Sequence, residues 1–176
     1  CGSIELAKYF DTIAAQHTLP LAARKPRIGL WLGLKSDIPI HSDYTDNLVC
    51  NVLGRRRVTL FAPDQLKNLY IGPLDNTPAG RAVSLVDFNA PDYKAHPLFA
   101  EAEKTACSVE LSPGDMLHIP TMWWHTIQSL DGFNAMVNFW WRDSNLPANP
   151  DAALVNAISA WRDLPDDEKQ IWRAQL

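Results

Sequence analysis

"SVELSPGDMLHIPTMWWHTIQSLDGFNAMVNFWWR", residues 108–142, sets short apolar runs between close turn signals. Residues 108–111, 115–119, 123–129 and 134–142 each have strand length, and Pro113-Gly114, Pro120 and Asp131-Gly132 separate them. Short strands at such intervals predict an antiparallel sandwich or barrel. Upstream, "RIGLWLGL" at 27–34 reads as another strand, and 35–39 as a turn. Residues 48–53 and 56–62 read as two more strands, joined at Gly54 into a hairpin. Residues 63–69 read as a short helix with Pro63 near its start.

Helical signals flank this β-core. Ser3 is a plausible N-cap for a helix over 3–15, with Ile4, Ala7, Phe10 and Ala14 at helical spacing. From residue 151 onward Leu154, Ile158 and Trp161 share a helical face, and Leu164-Pro165-Asp166 opens a last helix with acidic residues in its first turn. The expected division is a β-domain over 1–150 and a helical extension over 151–176. Residues 70–105 have no periodicity and carry Gly or Pro at 72, 73, 78, 80, 91 and 97. An insert of that length is often functional.

Bulk properties narrow the classes. The 176 residues fit one domain, 47% hydrophobic and 20% charged, as in globular chains. A net charge of −4 gives a nucleic-acid partner no support. No apolar run has the length of a membrane span. Cys1, Cys50 and Cys107 lack metal-ribbon spacing and leave one thiol over in any pairing, so a reducing, cytoplasmic setting is expected. The first residue is Cys1 rather than Met, so further residues upstream are expected.

"IPIHSDYTDN", residues 38–47, holds the main chemical signal. On an extended strand, residues two apart point to the same side, so His41 and Asp43 can converge on one ion. Two imidazoles and a carboxylate on one face suit divalent iron and leave three positions open. By itself a His-x-Asp pattern is also met as a polar turn, with Asp43 bonding nearby backbone. A third ligand has four histidine candidates: His17, His96, His118 and His125. His17 suits a solvated helix end and His96 the surface of the insert. His125 follows Trp123-Trp124 and shares a strand face with Trp123, Ile127 and Ser129, while His118 fits a packed or surface position as well as any other.

Longer blocks decide the matter. "HSDYTDNLVCNVLGRRRVTLFAPDQLKNLY", "VDFNAPDY", "LSPGDMLHIPTMWWHTIQSL" and "VNFWW" together resemble the JmjC-type, cupin-like family of iron(II) and 2-oxoglutarate oxygenases. The likeness covers about residues 28–142 and is greatest to the branch of the asparaginyl hydroxylase acting on hypoxia-inducible factor. It implies a double-stranded β-helix, or jelly roll, mainly β. It implies metal ligation by His41, Asp43 and His125, with these three as the catalytic centre. It implies 2-oxoglutarate contacts from Asn47 and Asn138, with Ile127 and Trp140 lining the same pocket, and a pocket-side place for His118.

Two positions depart from the family pattern. The lysine that relatives place thirteen residues after the metal aspartate is Arg56 here, and their threonine three before the metal histidine is Ile38. Arginine also pairs with carboxylates, and bidentately. If Arg56, Val58 and Leu60 share the interior face, the guanidinium needs an anionic partner there. The resemblance therefore implies a hydroxylase of a protein side chain or small molecule. The alternative is a degenerate scaffold that binds metal or a small acid without turnover. It further implies a homodimer through the C-terminal helices.

Overall fold

A computed structural model describes residues 2–20, 25–73, 77, 81–143 and 150–175. Two antiparallel sheets form a jelly roll. The five-stranded sheet has the order β1-β2-β9-β4-β7, from β1 (Gly2–Glu5), β2 (Arg27–Leu34), β4 (Asp46–Leu53), β7 (Met116–Ile119) and β9 (Phe133–Trp141). The four-stranded sheet has the order β3-β8-β5-β6, from β3 (Asp37–Ser42), β5 (Arg56–Phe61), β6 (Cys107–Leu111) and β8 (Trp124–Ser129). The four runs of 108–142 are thus four strands that alternate between the sheets, as a jelly roll requires.

The period-2 pattern explains the packing. Val49, Ile119 and Met136 from one sheet meet Val58, Leu111 and Ile127 from the other, forming the interior. The opposite face of the four-stranded sheet is also apolar. Ile40, Phe61 and Trp124 project from it and are covered by Leu69, Val86, Phe99 and Ala102. Much of the 70–105 insert is therefore a lid over the back of a sheet. It contains a helix, α3 (Phe99–Thr105), that its lack of periodicity hid.

Three expectations are corrected. The strands at 48–53 and 56–62 form no hairpin: β4 pairs with β7 and β9, and β5 with β6 and β8. Gly54 carries the chain across from one sheet to the other with φ +73, and a side chain there would strike Asn134 and the Phe133 carbonyl. Residues 37–39 belong to β3 rather than to a turn. The N-terminal helix is not continuous: Ile4 pairs with Leu30 in β1, and two short helices follow, α1 (Leu6–Tyr9) and α2 (Asp11–Gln16). Phe10 between them is non-helical, at φ −139 and ψ 60. The buried residue is Leu6, which joins Ile28 and Phe139 on the outer face of the five-stranded sheet, so the register of burial differs from the helical spacing read in the sequence.

The expected short helix after β5 is a 3-10 turn, Pro63–Lys67. At the C-terminus stand α4 (Pro150–Arg162) and α5 (Asp166–Gln175), with Trp161 and Trp172 6.4 Å apart between ring centres. Among the described residues, no helix is long and apolar enough to cross a membrane.

Candidate metal centre

β3 and β8 are neighbours, and their register sets His41 directly opposite His125. Asp43 lies one residue beyond the end of β3. Its carbonyl accepts the Met122 amide at 2.8 Å, which ties the segment to the turn leading into β8. Ligand atoms of His41, Asp43 and His125 all lie within 4.8 Å of one another. The rings of the two histidines are 4.3 Å apart, and His125 Nε2 is 4.0 Å from Asp43 Oδ2. Ligands about 2.1 Å from one ion sit about 3 Å apart at adjacent positions, so the side chains form an open cage that closes by small rotations.

Second contacts prepare both imidazoles. His41 Nδ1 donates to the Pro39 carbonyl at 2.8 Å, and His125 Nδ1 to the Trp123 carbonyl at 3.1 Å. A carbonyl only accepts, so each Nδ1 carries a proton, and in the neutral tautomer Nε2 is the nitrogen free to ligate. His125 is 1% exposed. Burial, with His41 adding to it, lowers its pKa to about 4 against the opposing pull of Asp43. The neutral, ligating form therefore prevails at neutral pH. The sign for stability follows. Between pH 6.5 and 4 the unfolded chain takes up this proton and the fold does not, so metal-free protein loses stability as pH falls through that window. The loss amounts to about 3 kcal/mol by its end. Denaturant titrations at pH 7 and pH 4.5 check this, and His125→Gln is expected to flatten the difference.

A second set of groups lies deeper. β5 pairs with β8 so that Leu60 faces His125, Val58 faces Ile127 and Arg56 faces Ser129. Arg56 is 1% exposed, and burial pushes its pKa down. Its Nε donates to Asn51 Oδ1 at 3.1 Å, while buried Nη2 has no acceptor among the described residues. A buried cation with an idle donor calls for an anion. From His125 to Ser129 the strand advances about 13 Å, and Ile127, 3% exposed, lies between them on the inner face.

Across the interior, Asn138 Nδ2 donates to Asn47 Oδ1 at 2.6 Å, and Asn138 Oδ1 is buried without a partner among the described residues. Trp140, opposite Asn47 in the register, packs edge-on against Trp31 and lies over Gly29, where a Cβ would overlap its ring. The residues present thus fit both a divalent metal and an acid: two imidazoles and a carboxylate at one end, and an unsatisfied guanidinium with an unsatisfied amide deeper in.

The structure brings His41, Asp43 and His125 together and buries Asn47, Arg56, Ile127 and Asn138 on strands of the two sheets. His118 is not on the pocket side. Leu117 and Ile119 take the inward places of β7, so His118 points outward, stacks on Trp141 at 5.6 Å and bonds Asp46 at 2.9 Å. His96 packs on Tyr70 in the insert. Three residues that the sequence did not single out touch the candidate residues. Asn51 holds Arg56, and strand alternation from Asn47 could have found it. Trp31, packed on Trp140, offers a buried Nε1 with no acceptor among the described residues. Arg81 Nε lies 3.5 Å from Asp43 Oδ1 and comes from aperiodic sequence that gave no signal.

Comparison with known proteins agrees with this geometry. Residues 2–146 match the family described as "Cupin-like domain". The chain is 36% identical over 154 residues to tRNA wybutosine-synthesizing protein 5 of Gallus gallus, covering 77% of this chain and 45% of that protein. It is 34% identical over 115 residues to Lysine-specific demethylase 8 of Xenopus tropicalis, covering 65% of this chain and 25% of that one. It therefore spans less than half the length of either relative. Among solved structures, E. coli ycfD aligns over 90% of this chain and 36% of its own, with TM-score 0.51 and 16% identity, a likeness of fold alone. A jelly roll with this match across most of its length belongs to the cupin-like, JmjC-type family.

Proposed function

We propose that this chain is an Fe(II)- and 2-oxoglutarate-dependent oxygenase that hydroxylates a protein side chain or a small molecule. The observation that carries the reading is the pairing of the His41, Asp43 and His125 cage with the buried Arg56 guanidinium, which the β5–β8 register sets four residues along β8 from His125. Iron with 2-oxoglutarate, when bound, supplies the oxidising chemistry that converts a C–H bond to C–OH with oxygen.

The chain's own residues do the rest. His41 and His125 would hold the metal through Nε2, each oriented by a backbone carbonyl on its other nitrogen. Arg56 would take the distal carboxylate of the acid, and Asn47 and Asn138 would contact its body. Ile127 and Trp140 would line the pocket and exclude water, which would strengthen each of these polar contacts.

Substrate-free turnover is the direct test. Protein loaded with iron and given 2-oxoglutarate and oxygen is expected to release succinate. Binding of metal and acid with no succinate, with or without candidate substrates, would instead establish the non-catalytic binding scaffold. The similarity to a protein named for tRNA wybutosine synthesis puts RNA into the substrate screen, although a net charge of −4 disfavours it.

The same reading extends to assembly. Leu154, Ile158, Ile171 and Trp172 on α4 and α5 are 46–58% exposed. Such an apolar surface suits a homodimer formed through these helices. Small-angle scattering is expected to give twice the chain mass, and Ile158→Glu with Trp172→Glu to reduce it to one chain; a monomeric wild type would refute this.

A further inference from the structure

We propose that Arg81 is a positioning residue for the metal centre, holding one oxygen of Asp43 so that the carboxylate serves the metal with the other oxygen alone. The inference rests on the oxygenase reading above and deepens it.

The two oxygens of Asp43 have different neighbours. Oδ2 faces the cage, 4.0 Å from His125 Nε2. Oδ1 faces away, 3.5 Å from Arg81 Nε. Both side chains are less than one-fifth exposed, at 18% and 17%, so solvent screens the pair only in part. Arg81 is held from a second side as well, its guanidinium 4.3 Å over the ring of Tyr44, the residue next to Asp43. The backbone around it is fixed to β3: Val83 bridges to His41, and the Ser84 amide donates to the Ile40 carbonyl at 2.8 Å. The insert is therefore anchored on the very strand that carries the first metal ligand.

The chemical consequence concerns coordination number. A carboxylate can ligate with one oxygen or with both. Two histidines and a one-oxygen aspartate leave three of six positions, enough for a chelating acid and oxygen. A two-oxygen aspartate leaves two, and the acid alone would fill them. A cation on Oδ1 biases Asp43 toward the first arrangement through a charge-assisted contact. Arg81 thus guards an open position without touching the metal.

The test uses Co(II) as a spectroscopic probe on the full chain, followed by calorimetry with 2-oxoglutarate on the cobalt-loaded protein. Arg81→Ala is expected to bind Co(II), with visible bands shifted from those of wild type before any acid is added. Its affinity for 2-oxoglutarate is expected to fall about 10- to 100-fold, on the scale by which loss of an outer contact to a metal ligand lowers metal affinity or activity. Arg81→Lys, which keeps the charge, is expected to recover most of the wild-type spectrum and affinity. A cobalt spectrum and an acid affinity unchanged in Arg81→Ala would overturn the inference while leaving the oxygenase reading intact. Failure of the wild-type chain to bind cobalt at all would overturn both.

Discussion

Arg56→Met is expected to abolish productive 2-oxoglutarate binding while leaving the acid-free fold no less stable. Most core substitutions of a fully buried side chain destabilise, so this combination is diagnostic. Arg56 is 1% exposed with Nη2 unpaired, and a buried charge without a counter-charge costs several kcal/mol. Methionine keeps the apolar stem and removes the charge. The fold gives up the hydrogen bond to Asn51 Oδ1, worth about 1 kcal/mol, against a larger relief. Binding moves the other way. Truncating one partner of a buried charge pair costs about 2–5 kcal/mol, which is roughly 30- to 5000-fold in affinity. Arg56→Lys restores the charge without the planar fork and is expected to bind the acid with intermediate affinity. Calorimetry and thermal unfolding on the same three proteins read both halves. An Arg56→Met protein that binds the acid as wild type does would remove Arg56 from the site.

This residue also marks how far the sequence alone reaches. Alternation placed Arg56 on the same face as Val58 and Leu60, and Arg56 and Val58 are buried there. The same reasoning located the strands of 108–142 to within about a residue, because each carries its own inward and outward pattern. It did not reveal which strands pair. Gly54 looks alike whether it closes a hairpin or passes between sheets, and the partners of β4 and β5 lie 47 to 95 residues away in sequence. The lid was unreadable for a related reason. Its contacts with Ile40, Phe61 and Trp124 come from Val86 on irregular backbone and from Phe99 and Ala102 on the seven-residue α3, too few positions to make a readable period. His41 and Asp43 were open to two readings until the longer blocks supplied His125. Arg81 was out of reach, since nothing local distinguishes an arginine aimed at a metal ligand from one in solvent.

His125→Ala is expected to remove the stabilisation that metal gives the wild-type chain. An ion that binds only the fold adds about 2.7 kcal/mol at a free concentration 100 times its dissociation constant. With Mn(II) as the probe, the wild-type unfolding midpoint should rise accordingly and return on chelation. The variant keeps one histidine and one carboxylate, a pair with affinity too low to register at that concentration. Truncation also leaves a void beside His41 and Leu60, so the metal-free variant starts from a lower midpoint. His125→Gln separates the two effects, because it nearly fills the space and supplies no imidazole. Its metal-free stability is expected to lie near wild type at pH 7, with no rise on adding Mn(II). Equal metal-dependent shifts in wild type and His125→Gln would mean the ion binds elsewhere. The register that sets His41 against His125 would then serve packing alone, and the buried, proton-poor imidazole would have no ligand to wait for.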